Sequence, residues 1–160
     1  MDAESRESRG ESRAELRQRA LRLLTRREHA RLELRRKLAP HAESTELLED
    51  VLDELAQSGW LNEARFVESM IHQRAGRFGT ARIRRELQQR GVSAHQSSEA
   101  VAVLKDSELE RARAVWQQKF GQAPADLREA ARQMRFLLGR GFASDVVRRV
   151  VPDVGVSSTP

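Results

Sequence analysis

Three kinds of side chain in this 160-residue sequence could do chemistry: four histidines, a run of carboxylates and a large set of arginines. His29, His41, His72 and His95 are scattered, and none has a second histidine three to five residues away on a shared helix, the spacing a zinc site uses. With no cysteine there is no thiolate ligand, no cysteine nucleophile and no disulfide framework. Gly76 and Gly79 lack the phosphate-cradling P-loop pattern and read as a helix break, and no nucleophile sits in a catalytic motif. The expectation is therefore no catalytic residue, no metal site, no cofactor and no enzyme. Glu46, Glu49, Asp50, Asp53 and Glu54 share a helix with Leu48, Val51, Leu52 and Leu55. Such a set is either a solvated face or a site for a cation or basic partner.

The arginines carry more pattern. They outnumber lysine 26 to 3 in a chain of net charge +5, and a basic surface attracts phosphate backbones or acidic protein surfaces. Arg35-Arg36-Lys37-Leu38, Arg84-Arg85-Glu86-Leu87 and Met134-Arg135-Phe136-Leu137 align at spacings of 49 and 50 residues. The same offsets relate Leu52, Val101 and Val151; Leu55, Leu104 and Val154; and Ser44 with Ser93. Repeats of this length indicate stacked helical units that offer equivalent side chains to an extended partner. Arg36, Arg85 and Arg135 each stand two residues from a seam leucine, a turn of about 200° away from the core, so they are expected to form one exposed row. Arg35, Arg74, Arg77, Arg82, Arg84, Arg90, Arg132 and Arg140 lie around it. The bland alternative pairs Arg82 with Glu86 at the i, i+4 spacing and uses other arginines to pin neighbouring units.

The elements that must position these side chains are all helical. Ser12 and Glu15 have capping-box spacing before Leu16, Ala20, Leu23 and Leu24, which predicts a helix over about 12–27. A second, short helix bears Leu34 and Leu38 and stops before Pro40. The third bears Leu47 to Leu55 and ends at Gly59. The next unit opens with Asn62 as a cap and Leu61 with Phe66 as a hydrophobic staple, and Met70 and Ile71 continue its stripe. Ile83 and Leu87 follow the break, Gly91 is a C-cap, and Ser93 to Gln96 restarts before Ala100, Val101 and Leu104. The third unit carries Leu109, Val115, Trp116 and Phe120, then Asp126 to Glu129 as a capping spacing before Ala130, Met134, Leu137 and Leu138. Gly141 repeats the Gly91 stop, and Val146, Val147, Val150 and Val151 complete a ninth helix before Pro152.

The expected architecture is all-α: three tandem three-helix repeat units stacked into an elongated, curved array. Residues 1–11 form a disordered polar arm, 12–58, 59–105 and 106–151 the three units, and 152–160 a flexible tail. Units of this size are marginal alone and must share buried surface. Nine bases and three acids give residues 14–42 a net +6, whereas six carboxylates and no base give 43–58 a net −6. No apolar run reaches the roughly 20 residues a membrane span needs, and the N-terminus is polar. A soluble, cytoplasmic monomer without membrane contact is expected.

Trp60-Leu-Asn-Glu-Ala-Arg65-Phe66, the stretch from Gln73-Arg74 through Gly79-Thr-Ala-Arg-Ile83 to Arg90-Gly91-Val92, and Met134-Arg135-Phe136-Leu137 through Arg140-Gly141-Phe142 resemble bacterial RecX. Ala20 to Leu24, Arg27-Glu28-His29 and Glu33 to Leu38 match that family's first unit, so the resemblance covers about residues 14–151. It implies a non-enzymatic modulator of the RecA recombinase that binds along the RecA filament on DNA and dampens its ATPase, strand-exchange and coprotease activities, in regulation of homologous recombination, DNA repair and the SOS response. Phosphates of single- or double-stranded DNA are further candidate partners. The chain departs from the family at Ala30, often a serine cap, and at Thr80, commonly proline. The competing function is an independent basic helical DNA-binding protein, against which stands the absence of a helix-turn-helix or basic-zipper pattern.

Overall fold

Nine α-helices account for most of the residues 10–155 that the computed structural model describes: α1 (Arg13–Arg26), α2 (Arg31–Leu38), α3 (Thr45–Gln57), α4 (Glu63–Arg74), α5 (Thr80–Gln89), α6 (Ala94–Ala102), α7 (Glu108–Lys119), α8 (Leu127–Gly139) and α9 (Ser144–Val150). Among the described residues the β contribution is an isolated bridge between Glu11 and Ala42. No helix there is long and apolar enough to cross a membrane.

The start signals act as the sequence implies. Ser12 and Glu15 form a complete capping box, Asn62 accepts from the Arg65 amide at 3.0 Å, and Asp126 accepts from that of Glu129 at 2.8 Å; each such cap stabilises its helix by about 1 kcal/mol. Ser44 and Ser93, equivalent in the repeat, cap α3 and α6, whereas Ala143 at the third equivalent position offers α9 no side-chain cap. Ala30 likewise leaves α2 without one. Pro40 falls in a 3-10 turn over Ala39–His41 that closes α2.

Contacts gather the chain into two compact units, one reaching to Ser69 and including Arg90–Val92, the other comprising Met70–Gln89 and the residues from Ser93 onward. The core of the first joins Leu16, Ala20, Leu34, Leu38, Leu48, Val51, Leu52 and Leu55. In the second, Ala112, Val115, Trp116, Leu137, Phe142, Val147 and Val150 pack together, and α5 lies against α6. The three seam leucines Leu38, Leu87 and Leu137 are 0 % exposed, as the repeat requires.

The repeat alignment at Val154 and the buried face of α8 are corrected. Val154, aligned with Leu55 and Leu104, follows α9 in a turn and is 39 % exposed. Leu138 is 46 % exposed and Met134 only half-buried, while Gln133 takes the core place at 1 %. Its amide oxygen accepts from Trp116 Nε1 at 2.8 Å and its Nε2 donates to the Gln122 carbonyl at 3.2 Å, so the polar group is satisfied inside the core. The polar arm falls on residues 1–9, outside the described residues, except for Gly10 and Glu11. Glu11 is tied into the fold by its amide on the His41 carbonyl, 2.7 Å, and by an ion pair with Arg19. Residues 156–160 of the expected tail also lie outside the described residues, and the Gly155 amide meets the Pro124 carbonyl at 3.4 Å.

Candidate anionic-partner interface

In the first unit a set of charges joins helices. The acidic face of α3 meets α1 and α2: Arg17 to Glu54 at 2.7 Å, Arg31 to Glu49 at 3.0 Å and to Asp53 at 2.6 Å, and Arg35 to Glu49. Hydrogen bonds from Arg35 and then Arg31 draw the Glu49 carboxyl down to about 2. These pairs are a third or more exposed on at least one side, so each contributes at most about 1 kcal/mol. Of the acidic set, Glu46 and Asp50 are exposed and make no ion pair among the described residues, and the described residues hold no group of three or more His, Asp or Glu arranged for a metal ion.

Arg90 is also a tie. It reaches Glu33 at 2.8 Å, and Glu33 takes Arg27 at 2.8 Å as well. Burial alone would raise the Glu33 pKa, but the hydrogen bond and charge of Arg27 outweigh it and the net shift is downward. His29 beside it is 1 % exposed; its Nδ1 lies 3.0 Å from the Arg27 carbonyl and its Nε2 3.2 Å from Lys37 Nζ. Burial lowers the His29 pKa. The neutral ring therefore donates from Nδ1 to the carbonyl and accepts from Lys37 at Nε2.

The second unit concentrates cations without matching acids. Phe78, buried in the turn between α4 and α5, is the centre: the guanidinium carbons of Arg74, Arg77, Arg82 and Arg140 lie 5.7, 5.5, 3.9 and 5.3 Å from its ring centre. Arg140 is also 4.9 Å from the Phe136 ring, over which Lys119 Nζ sits at 5.4 Å. Phe136 in turn meets Phe120 edge-on at 5.5 Å. The electron-rich ring faces attract the cations and hold them together. One carboxylate joins the group, Glu86, and it pairs with Arg74 at 3.0 Å. Arg82 thus stacks on Phe78 and does not take the i, i+4 partner the sequence offered. Arg132 lies 5.6 Å from Phe120 and 3.9 Å from Glu129.

What fixes this cluster is the docking of two turns. The Gly79 amide donates to the Arg140 carbonyl at 2.8 Å, and Arg82 reaches the Gly139 carbonyl at 3.4 Å. A methyl built on Gly79 would overlap the backbone of Gly141 and Phe142, and one on Gly141, at φ +89°, would overlap Arg82. Only glycine permits so close an approach. From α7, Arg111 donates to the carbonyls of Ala75, Phe78 and Leu104, and Glu108 accepts from the Thr80 amide at 3.2 Å. One turn of α7 therefore satisfies two carbonyls of the α4–α5 turn and the first amide of α5. A proline at position 80 would have no amide to offer Glu108.

Arg36, Arg85 and Arg135 are all exposed, and none makes a hydrogen bond or ion pair among the described residues. Arg84 is exposed as well and lines a groove between α5, α6, α7 and α9. Of the eleven arginines singled out in the sequence, Arg35, Arg74 and Arg90 are held by carboxylates, and Arg74, Arg77, Arg82 and Arg140 converge on one ring. Sequence reasoning missed Lys119, Phe78, Glu108 and Arg111. The available signal is an aromatic residue between two glycines and among arginines, in a segment whose glycines also mark a helix break.

Comparison with known proteins follows the same outline. A model of the second three-helix domain of RecX matches residues 62–101, and one of the third three-helix domain matches residues 106–151. The Regulatory protein RecX of Leptothrix cholodnii is 57 % identical over 136 residues, which cover 85 % of this chain and 87 % of that protein. The Regulatory protein RecX of Ralstonia pickettii is 49 % identical over 136 residues, with 85 % and 86 % covered. Among solved structures, RecX from Lactobacillus salivarius superposes with a TM-score of 0.74 at 16 % identity, covering 86 % of this chain and 93 % of that one.

Proposed function

Because the chain belongs to the RecX family of regulatory proteins, we propose that it is a non-catalytic modulator, mainly an inhibitor, of the RecA recombinase, acting in the cytoplasm as a monomer. It binds along the RecA filament on DNA and dampens ATPase, strand-exchange and coprotease activity, in recombination, repair and the SOS response. Three three-helix units, 12–58, 59–105 and 106–151, supply successive contacts, so that modest affinities combine by multivalency. Occupying the filament groove hinders entry of duplex DNA and the subunit movements that accompany nucleotide turnover.

The supporting observation is the set of exposed, unpaired cations at equivalent repeat positions, Arg36, Arg85 and Arg135. Arg35, Arg74 and Arg90 are held by internal ion pairs, whereas these three make no hydrogen bond or ion pair among the described residues. Changing all three to Glu replaces attraction by repulsion at three exposed positions without touching the seams. The test is RecA ATPase on single-stranded DNA with substoichiometric wild-type or triple-variant protein. Wild type is expected to inhibit, and the variant, with an unchanged circular dichroism spectrum, is not. Equal inhibition by both would remove the row from the mechanism, and no inhibition by wild type would end the reading.

The Phe78 cluster favours a second reading, direct binding to DNA without RecA. Salt titration separates the two. A free DNA binder holds naked DNA tightly with a steep salt slope; a filament modulator prefers RecA-coated DNA.

A further inference from the structure

Between the α4–α5 turn, α7 and α8 lies an open cleft of about 320 Å³ lined by Gly76, Arg77, Val115, Gln118, Lys119, Phe136 and Arg140. Three of its walls thus contribute one cation each, and no carboxylate lines it. Arg77, Lys119 and Arg140 make no ion pair among the described residues. Their positions are nonetheless set: Arg77 by the Phe78 face, Lys119 by the Phe136 face and Arg140 by both. Like charges converging on one space oppose folding unless something of opposite sign occupies it. Here the rings offset part of that repulsion and hold the donors ready, which lowers the ordering cost of binding an anion.

We propose that this cleft is a site for a phosphate group, held jointly by Arg77, Lys119 and Arg140. A phosphate presents oxygens in several directions, matching two guanidinium forks and an ammonium that approach from three elements. A carboxylate presents two oxygens in one plane and satisfies fewer of them. The phosphate arrives either in a nucleic-acid backbone or as a free phosphate ester. The proposal rests on the filament reading only for which nucleic acid is met in the cell; the site itself is tested without RecA.

The probe is a fluorescently labelled single-stranded oligonucleotide, followed by anisotropy over a range of sodium chloride with the full chain. One phosphate shared by three cations predicts that Arg140→Gln lowers the slope of log affinity against log salt by about 0.7, and that Arg77→Gln/Lys119→Gln/Arg140→Gln lowers it by no more. Pyrophosphate at matched ionic strength is expected to compete on wild type and to raise its melting temperature, with both effects lost in Arg140→Gln. If pyrophosphate acts this way while the oligonucleotide slope stays put, the site takes free phosphate esters and the proposal stands. A loss of about 2 in the slope of the triple variant would mean three independent phosphates on a diffuse surface, and the proposal fails. It fails equally if an oligoglutamate competes as well as pyrophosphate, or if pyrophosphate has no effect on wild type. Far-ultraviolet circular dichroism guards each variant against misfolding. A chain that gives these results but never inhibits RecA would refute the filament reading and leave the phosphate site intact.

Discussion

Replacing Gly79 by alanine tests how the cation cluster is built. The added methyl would overlap the backbone of Gly141 and Phe142, and backbone cannot rotate away as a flexible side chain can. Overpacking of this kind costs about 1–3 kcal/mol, and separating the turns also strains the 2.8 Å bond from the Gly79 amide to the Arg140 carbonyl, worth about 1 kcal/mol. The combined loss is about 3 kcal/mol, or roughly 10 °C in melting temperature for a chain of this size. Gly76, three residues earlier, has nothing within 4 Å of a methyl built on it. Gly76→Ala is therefore the matched control and is expected to be neutral or to stabilise by up to about 1 kcal/mol through the unfolded state. The assay is thermal unfolding by circular dichroism, with oligonucleotide anisotropy beside it, because parting the turns also parts Arg77 from Arg140. A Gly79→Ala melt within about 2 °C of wild type, or an equal drop in Gly76→Ala, would refute the docking of the two turns.

Arg111→Met keeps the aliphatic stem but strips the donors from the Ala75, Phe78 and Leu104 carbonyls; a loss of about 3–5 kcal/mol is expected by denaturant titration, and a change under 1 kcal/mol would show that water takes over the carbonyls. Leu87→Asp places a carboxylate at a fully buried seam and costs several kcal/mol; an unchanged melting temperature would show the seam misplaced. Because burial lowers the His29 pKa, the neutral ring contributes stability above the free value of about 6.5 that is lost as pH falls through its depressed value, so His29→Gln is expected to flatten the stability profile as pH falls below about 6.5. Glu49, drawn down to about 2, contributes above about 4.5 and loses that contribution toward pH 2; Glu49→Gln should remove this low-pH part alone, and identical acid titrations would count against the Arg31 and Arg35 pairs.

The helices were legible because their signals are local. Ser12, Ser44, Asn62, Ser93 and Asp126 cap where their side chains can reach an amide three residues on, and the leucine spacings fix the buried faces. The exposure of Arg36, Arg85 and Arg135 followed from helical geometry alone. What was not legible depends on partners distant in the chain. Glu86 had a plausible partner in Arg82 four residues away, but Arg74 reaches it first once the α4–α5 turn folds back. Phe78 becomes a centre only when residue 140 is brought to it. Gln133 looked like surface until Trp116, 17 residues earlier, supplied its donor. The repeat misled at Val154, since Pro152 stops the ninth helix before the aligned position.

The clamp that α7 places on the α4–α5 corner sets an order of events during synthesis. The corner leaves the ribosome without Glu108, Arg111 or the Gly141 turn that hold it. Sixty-two residues separate Gly79 from Gly141, a wait of roughly 3–12 s at ~5–20 residues per second. Throughout that interval Arg74, Arg77 and Arg82 flank Phe78 without Arg140. A nascent chain near the phosphates of ribosomal and messenger RNA thus does not assemble the full Phe78 cation cluster until α8 and the turn after it have been made.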